Sequence, residues 1–355
     1  MIGERIKVAR QRSGLNLRKL AEKVGVSAQA ISKYERGLDV PSSAVLIKLA
    51  HALGVRVEYF LRPITVSFSK PAYRCFSSKL KEKEKEKIPA QVQDWLERYL
   101  LIEELVSSQR EFQFPNIPRL VGRLEDVEQV ALALREFWKL GLGPIDRLAE
   151  TLEDRGIKVG LIKSVGDFDS LMLWANKRIP VIFVKDDIPG DRQRLSMAHE
   201  LGHLILEMPS EWNEKQIEKA AFRFAGAFLV PAQTVREELG EKRQRLDLHE
   251  LQLLKQKYGL SMQAWIYRAK DLGILPEARA QALFKDFKAK GRYRKEPGDP
   301  YPPEKLDRLE RMVSKALAED LISDARAAEI LGMSPSQLWM QPNWQHEPIP
   351  TQANR

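Results

Sequence analysis

Two histidines and a glutamate at fixed spacing are the residues of this sequence best suited to chemistry. His199 and His203 are four residues apart in the stretch 197–206, and Glu200 directly follows the first histidine. Side chains four residues apart share one face of a helix, so both imidazoles could bind one metal ion. Glu200 could then take a proton from a metal-bound water, as in the H-E-x-x-H arrangement. The spacing predicts a catalytic metal site on a helix.

A third ligand is available further along the chain. A catalytic zinc ion takes three protein ligands and keeps a fourth position for water. Glu218 lies near the start of an apolar run that ends at Pro231 and is predicted to be a helix. Two histidines of one helix and this glutamate of the next would complete a Zn²⁺ site. Glu207, predicted to share the face of His199 and His203, is an alternative third ligand.

The two motifs, in this order, resemble the ImmA/IrrE family of zinc metallopeptidases. The stretch Arg194–His203 is similar to the first motif of that family. The second motif is matched by Glu218, Ala221, Phe224, Ala225, Leu229 and Pro231. The resemblance implies that His199, His203 and Glu218 are the metal ligands, that Glu200 is the general base, and that the substrate is a protein.

The sequence departs from this family at two positions near the motifs. Glu207 stands where the family often has a histidine, and Phe222 stands where it often has an asparagine. Neither position is usually a ligand, so the metal site is expected to be retained. The departures bear on how the substrate fits.

The first 62 residues predict a compact five-helix domain that binds DNA. Asn16 can cap a second helix, and Gly25-Val26-Ser27 forms a tight turn before a third helix at Ala28–Arg36. Two short helices joined by such a turn are typical of a helix-turn-helix. The segments 15–21 and 31–37 resemble the Xre/Cro-type DNA-binding domain.

The side chains that point outward from this helix-turn-helix are candidates for DNA contact. Gln29 suits adenine edges, Lys33 suits guanine edges, and Ala28 suits a thymine methyl group. Arg18 and Arg36 are placed for phosphates. The full predicted set is Arg18, Ala28, Gln29, Ser32, Lys33 and Arg36.

The charge of the chain favours an anionic partner for this segment. The net charge is +9, and residues 1–62 contain 12 basic and 5 acidic residues, a net of +7. Basic excess is therefore concentrated in the first sixth of the chain. Double-stranded DNA, bound by a homodimer, is the predicted partner.

The expected fold class is mainly α with a small β-sheet (α+β), with an N-terminal five-helix domain, a zincin-like metallopeptidase domain and a helical C-terminal region. Strands are predicted at 157–162, 171–174 and 180–184, directly before the helix that carries His199 and His203. The predicted divisions are 1–62 for DNA binding, 63–115 for a strand and helical linker, 116–240 for the peptidase, 241–340 for the helical region and 341–355 for a disordered tail.

No apolar run approaches the roughly 18 residues of a membrane span, and Cys75 is the only cysteine. A cytoplasmic protein without membrane contact is expected.

The main hypothesis is a DNA-binding transcriptional regulator whose zinc peptidase cleaves a repressor or antitoxin-type protein. Two alternatives remain, a regulator with a non-catalytic, peptidase-like sensor domain and the antitoxin of a toxin–antitoxin pair.

Overall fold

The computed structural model describes residues 2–68, 84–163, 168–293, 295–341 and 344. These residues form many helices and one small sheet, which confirms the predicted α+β class. The chain divides into two compact units, the first made of residues 1–67, 81–109 and 307–355 and the second of residues 68–80 and 110–306. Most of the predicted tail, Cys75 and most of the alternating Lys/Glu run lie outside the described residues.

The first unit begins with the predicted helices. They are α1 (Ile2–Arg12), α2 (Leu17–Val24), α3 (Ala28–Glu35) and α4 (Ser43–Leu53), followed by a 3-10 turn at Val57–Leu61. The side chain of Asn16 accepts a hydrogen bond from the amide of Lys19, and that of Ser27 accepts one from Ala30. Both predicted caps are confirmed, and Gly25 ends α2 in the left-handed conformation, as a C-terminal glycine does.

Helix α5 (Lys87–Leu105) and three C-terminal helices complete the first unit. The C-terminal helices are α14 (Arg308–Ala318), α15 (Asp324–Leu331) and α16 (Pro335–Met340). Tyr99 and Ile102 of α5 form one apolar cluster with Val313 and Ile330 of the C-terminal helices. The segment predicted as one region, 241–340, is thus divided between the two units.

The second unit contains the sheet and the helices that carry the predicted metal ligands. Its strands are β1 (Lys158–Ile162), β2 (Ser170–Ala175) and β3 (Ile179–Lys185). The central strand β3 pairs parallel to β1 and antiparallel to β2, so β2 lies at an edge. Its helices are α6 (Val127–Phe137), α7 (Leu148–Asp154), α8 (Gly190–Ile205), α9 (Glu214–Leu229), α10 (Ala232–Leu239), α11 (Leu248–Tyr258), α12 (Met262–Asp271) and α13 (Glu277–Ala289).

The core of the second unit surrounds α8 and α9. Leu201 and Ile205 of α8 and Phe224 and Phe228 of α9 are fully buried in one cluster with strand residues such as Ile182. Fully burying an aliphatic or aromatic side chain stabilises a fold by roughly 1.5–3 kcal/mol. Apolar packing on both helices therefore holds the metal-ligand positions on a rigid base.

Ion pairs join α1 to α5 within the first unit. Arg12 lies 2.9 Å from the buried carboxylate of Asp94, which also pairs with Arg98 at 3.2 Å. Burial alone would raise the pKa of Asp94, but the charges of Arg98 and Arg12 outweigh burial and lower it. A carboxylate with a lowered pKa stabilises the fold when ionised and loses that contribution as acid protonates it.

Replacing Asp94 with Asn should weaken the first unit in a pH-dependent way. Removing one partner of a buried ion pair costs about 3–5 kcal/mol, so Asp94→Asn should lower the stability at pH 7 by about that amount. The difference from the unchanged protein should begin to shrink below pH ~4, the pKa of an ordinary Asp side chain, and should vanish only below the lowered pKa of folded Asp94. Urea unfolding at both pH values checks this, with exposed Glu22→Gln as control. A loss that is equal at both pH values would contradict the assignment.

Candidate functional site

The three predicted metal ligands come together between α8 and α9. The Nε2 atoms of His199 and His203 are 3.0 Å apart. The carboxylate oxygens of Glu218 lie 3.2 Å from His199 Nε2 and 3.4 Å from His203 Nε2. One donor atom from each residue therefore lies within 4.8 Å of the other two. This donor set has the residue types and the count that a catalytic metal site needs.

The spacing of these donors fits a tetrahedral zinc ion. With zinc–nitrogen distances of about 2.0–2.1 Å, neighbouring ligands of a tetrahedron are about 3.3 Å apart. The three donor separations of 3.0, 3.2 and 3.4 Å match that edge length. Contacts with His199 and His203 also lower the pKa of Glu218, which keeps its carboxylate ionised and ready to bind a cation.

The ring of Phe222 holds His199 in place. The centroids of the two rings are 4.1 Å apart, and Phe222 is 53% exposed. The second ring nitrogen of His199, Nδ1, is buried and accepts or donates no hydrogen bond within the described part of the chain. Metal-binding histidines usually gain their orientation from a hydrogen bond at that nitrogen. Here the ring of Phe222 restricts the imidazole instead. Position 222 is one of the two at which the sequence departs from the ImmA/IrrE pattern.

The carboxylate of Glu200 is oriented by a serine that the sequence analysis did not single out. Ser170, the first residue of β2, donates its hydroxyl to Glu200 Oε1 at 2.8 Å, and both side chains are buried. The predicted strand began one residue later, and nothing in the spacing linked position 170 to a helix thirty residues further on. This hydrogen bond fixes Oε1 of Glu200, and Ser170 donates no hydrogen bond to the other carboxylate oxygen, Oε2.

Glycine at position 202 allows α8 and α9 to approach closely. A Cβ atom at Gly202 would lie 3.1 Å from the ring of Phe224 and 3.2 Å from the carbonyl oxygen of Ala221. The sequence analysis did not predict this helix contact. Because Glu218 lies one turn before Ala221 on α9, the contact at Gly202 brings its carboxylate to the two histidines of α8.

Glu207 does not take part in the cluster. Helix α8 ends at Ile205, so Glu207 lies beyond it in an extended segment. The backbone amide of Glu207 donates a hydrogen bond to the carbonyl oxygen of Arg119 at 2.9 Å. Its carboxylate pairs with the guanidinium of Arg119. The expectation that Glu207 shares the helix face of His199 and His203 is therefore wrong.

The predicted DNA-contacting residues lie at the surface of the first unit. Arg18, Gln29, Lys33 and Arg36 are exposed, whereas Ala28 and Ser32 are half-buried. Ile31 is fully buried and fixes the rotation of α3. Arg36 donates to the carbonyl of Ser32 at 3.2 Å, which holds it beside the end of α3.

Part of the basic excess of residues 1–62 is used inside the fold. Arg10 pairs with Glu35 at 2.6 Å, and Arg5 and Arg12 pair with carboxylates of α5. Arg62 pairs with Glu329 at 2.6 Å. The exposed basic residues without an ion-pair partner in the described part of the chain are Lys7, Arg18, Lys19, Lys23, Lys33, Arg36 and Lys48. The surface charge available to DNA is therefore carried mainly by α2 and α3.

The fold and the site indicate that one chain combines a helix-turn-helix with a metallopeptidase-like unit. Family comparisons agree with both parts. Residues 6–60 match the helix-turn-helix family, and residues 152–270 match the IrrE N-terminal-like domain of the M78 peptidases. The predicted combination of an Xre-type domain with an ImmA/IrrE-like domain is thereby confirmed at the level of its domains.

Three curated proteins show similarity over shorter stretches. The HTH-type regulator YonR of the SPbeta prophage in Bacillus subtilis is 34% identical over 68 residues, covering 19% of this chain and 63% of YonR. A transcriptional regulator of the ATPase CF(0) region in Rhodospirillum rubrum is 41% identical over 59 residues, covering 17% and 55%. ImmR of Bacillus subtilis is 35% identical over 66 residues, covering 19% and 52%. The chain thus spans between half and two thirds of these relatives.

Solved structures of ComR from S. thermophilus, one of them in complex with DNA and the signalling peptide ComS, align with 12% identity. They cover 94% and 93% of this chain and 98% of theirs, with TM-scores of 0.18 and 0.17. Scores this low do not indicate a shared overall fold. None of the helices in the described part of the chain has the length and apolar character that a membrane span requires.

Widening the contact at Gly202 should weaken metal binding. Gly202→Val would force α9 away from α8, and overpacking of this kind costs about 1–3 kcal/mol. We expect zinc affinity to fall at least about tenfold while the helix content stays unchanged. Competition with a zinc-binding dye and circular dichroism measure both quantities. Gly143→Val, at a position with open space, is the control. Unchanged affinity in Gly202→Val would show that the site does not depend on this contact.

Proposed function

We propose that this chain is a DNA-binding transcriptional regulator whose second unit is a zinc metallopeptidase that cleaves a protein. One observation carries the peptidase part. The donor atoms of His199, His203 and Glu218 converge at zinc-like spacing, next to a buried glutamate whose orientation is fixed. The helix-turn-helix family match and the exposed basic residues of α2 and α3 support the DNA-binding part. A repressor or antitoxin-type protein is the proposed substrate class.

In this proposal His199, His203 and Glu218 hold the metal, and the fourth position is left for water. Zinc bound there would lower the pKa of a water ligand to about 7 and polarise a peptide carbonyl. Glu200 accepts the proton as the water oxygen bonds to the carbonyl carbon, then delivers it to the leaving amine nitrogen. Ser170 keeps the carboxylate of Glu200 in one rotamer throughout. The peptide C–N bond breaks, and a new carboxyl end and a new amino end form.

Replacing Glu200 tests the chemistry separately from metal binding. Glu200→Gln should retain about one zinc per chain and lose hydrolysis by at least ~10²-fold, because an amide cannot accept the proton. Glu218→Ala should lose the metal itself, whereas Glu207→Ala should keep it. Metal analysis of the purified variants and incubation with candidate repressors provide the measurements. Full zinc with no hydrolysis in the unaltered protein would favour the sensor hypothesis.

Ser170 is proposed to act as a positioning residue. Ser170→Ala should lower kcat about tenfold, because Glu200 is then free to leave the productive orientation. KM and zinc content should be unchanged, since Ser170 touches neither the metal ligands nor the open position. Ser170→Thr, which keeps the hydroxyl, should restore part of the rate. A change in KM or zinc content would assign Ser170 a structural role instead.

DNA binding should depend on a few exposed side chains of α2 and α3. Gln29→Ala or Lys33→Ala should cost about 1–3 kcal/mol on the specific site and relax base preference there. Arg18→Ala or Arg36→Ala should weaken binding to all sequences and reduce the salt dependence by about one charge. Lys7→Ala removes an exposed charge from α1 and serves as control. Titrations at several salt concentrations are the measurement, and equal losses in all variants would contradict the assignment.

A homodimer on a pseudo-palindromic site is proposed for the bound state.

A further inference from the structure

Helix α13 of the second unit carries a concentration of positive charge. Residues 277–293, which comprise α13 and the four residues after it, contain five basic and two acidic residues, a net of +3. With this stretch and residues 1–62 set aside, 41 basic and 42 acidic residues remain, a net of −1. The net positive charge of the chain therefore comes from two stretches, and the second lies outside both family matches.

The rotation of α13 turns two of its lysines toward solvent. Ala280 and Phe287, two helical turns apart, are fully buried in the core of the unit and set this rotation. Lys285 and Lys288 are exposed and three residues apart, so they are neighbours on the helix surface. Two ammonium groups therefore face solvent about one turn apart.

The acidic residue between these lysines is already paired. The carboxylate of Asp286 lies 2.6 Å from the ammonium of Lys290 and 3.9 Å from the guanidinium of Arg292. Among the residues that the structure describes, neither Lys285 nor Lys288 has an ion-pair partner. Their charges are therefore available to a ligand.

The position of these lysines does not serve the helix itself. Two like charges at this spacing repel each other and weaken an isolated helix. The helix dipole favours Lys288, which stands in the last turn, but has little effect on Lys285, which comes before that turn. A pair of charges whose repulsion is not offset within the fold favours an anionic partner.

The surface around the lysines suits the close approach of a sugar–phosphate backbone. Ala278 and Ala282 are exposed on the same helix and present only methyl groups. The ring of Tyr267 is 50% exposed and packs on Phe284 with 4.4 Å between the ring centroids. Phe284 is four residues before Lys288, so the tyrosine lies on the side of α13 that carries this lysine. Lysine and tyrosine side chains both donate hydrogen bonds to phosphate oxygens.

We propose that the exposed side of α13 binds the phosphate backbone of double-stranded DNA. DNA presents one phosphate per 3.4 Å along each strand, so adjacent phosphates suit two ammonium groups about one helical turn apart. The other positive stretch of the chain is the helix-turn-helix, whose proposed ligand is the same polyanion. Lysine contacts with phosphates carry no sequence information, so this site binds any duplex. The inference adds a second DNA contact to the proposed function and does not depend on the peptidase.

The first test measures binding of the full chain to a labelled, non-specific duplex of about 20 base pairs by fluorescence anisotropy. Lys285→Gln/Lys288→Gln should weaken binding at least about tenfold at about 0.1 M salt. The slope of log K against log salt should become shallower by about 1.8, because each phosphate contact contributes about 0.9. Lys285→Arg/Lys288→Arg, which keeps both charges, should retain the affinity within about threefold. Lys139→Gln/Lys305→Gln removes two exposed charges of the same unit and should change the affinity less than about twofold.

A second measurement locates the contact without replacing any residue. Exposed lysines of the unaltered chain are acetylated with and without bound duplex, and each site is quantified by mass spectrometry. Lys285 and Lys288 should be protected at least about threefold by the duplex, whereas Lys139 and Lys305 should react equally in both states. Equal reactivity of Lys285 and Lys288 with and without DNA would overturn the proposal.

The outcomes also separate α13 from other sources of DNA affinity. If Lys285→Gln/Lys288→Gln and its matched control lose equal affinity, net charge explains the loss and the proposal fails. If poly-glutamate of equal charge competes as well as duplex, the surface fits an acidic protein and the proposal also fails. If Arg18→Ala/Arg36→Ala abolishes non-specific binding while the α13 variant keeps it, the proposal fails and the helix-turn-helix function stands.

Discussion

The close contact between α8 and α9 at Gly202 is the constraint on which the candidate metal site depends. The histidines belong to one helix and Glu218 to the other, so their donor atoms meet only if the helix axes approach closely. Glycine permits that approach at an intrinsic cost of roughly 1 kcal/mol in helix propensity. Burial of Leu201, Phe224 and Phe228 around the contact offsets this cost many times over. The site is therefore a product of helix packing as much as of its ligands.

Charge has two separate roles in the first unit. Some arginines of residues 1–62, buried or half-buried, pair with carboxylates of α5 and α15, where they join helices that are distant in sequence. Others remain exposed on α2 and α3, where they can meet phosphates. A charge count along the chain cannot tell these roles apart, because the partners Asp94, Glu97 and Glu329 lie outside the counted segment.

Features that depend on local geometry could be predicted from the sequence. Asn16 and Ser27 cap helices within three residues, and His199 and His203 share a face through helix periodicity alone. Features that need two distant segments could not. Ser170 reaches Glu200 only after the sheet has formed. Glu207 was wrongly placed on the helix face of the two histidines. It lies in an extended segment after α8, where its backbone and its carboxylate both contact Arg119, and periodicity does not reveal that contact.

The first unit is assembled from three separate stretches of the chain, with the whole of residues 110–306 lying between two of them. During synthesis the helix-turn-helix is made before the second unit, yet α14 and α15, which pack against α5, are made after it. Domains fold as their residues become available, and contacts between distant residues form late. The helix-turn-helix unit is therefore complete only after the second unit has been made. A truncated chain that ends anywhere before residue 307 would carry the helix-turn-helix without the full support of its unit. On the proposed function, such premature products should compete poorly for DNA.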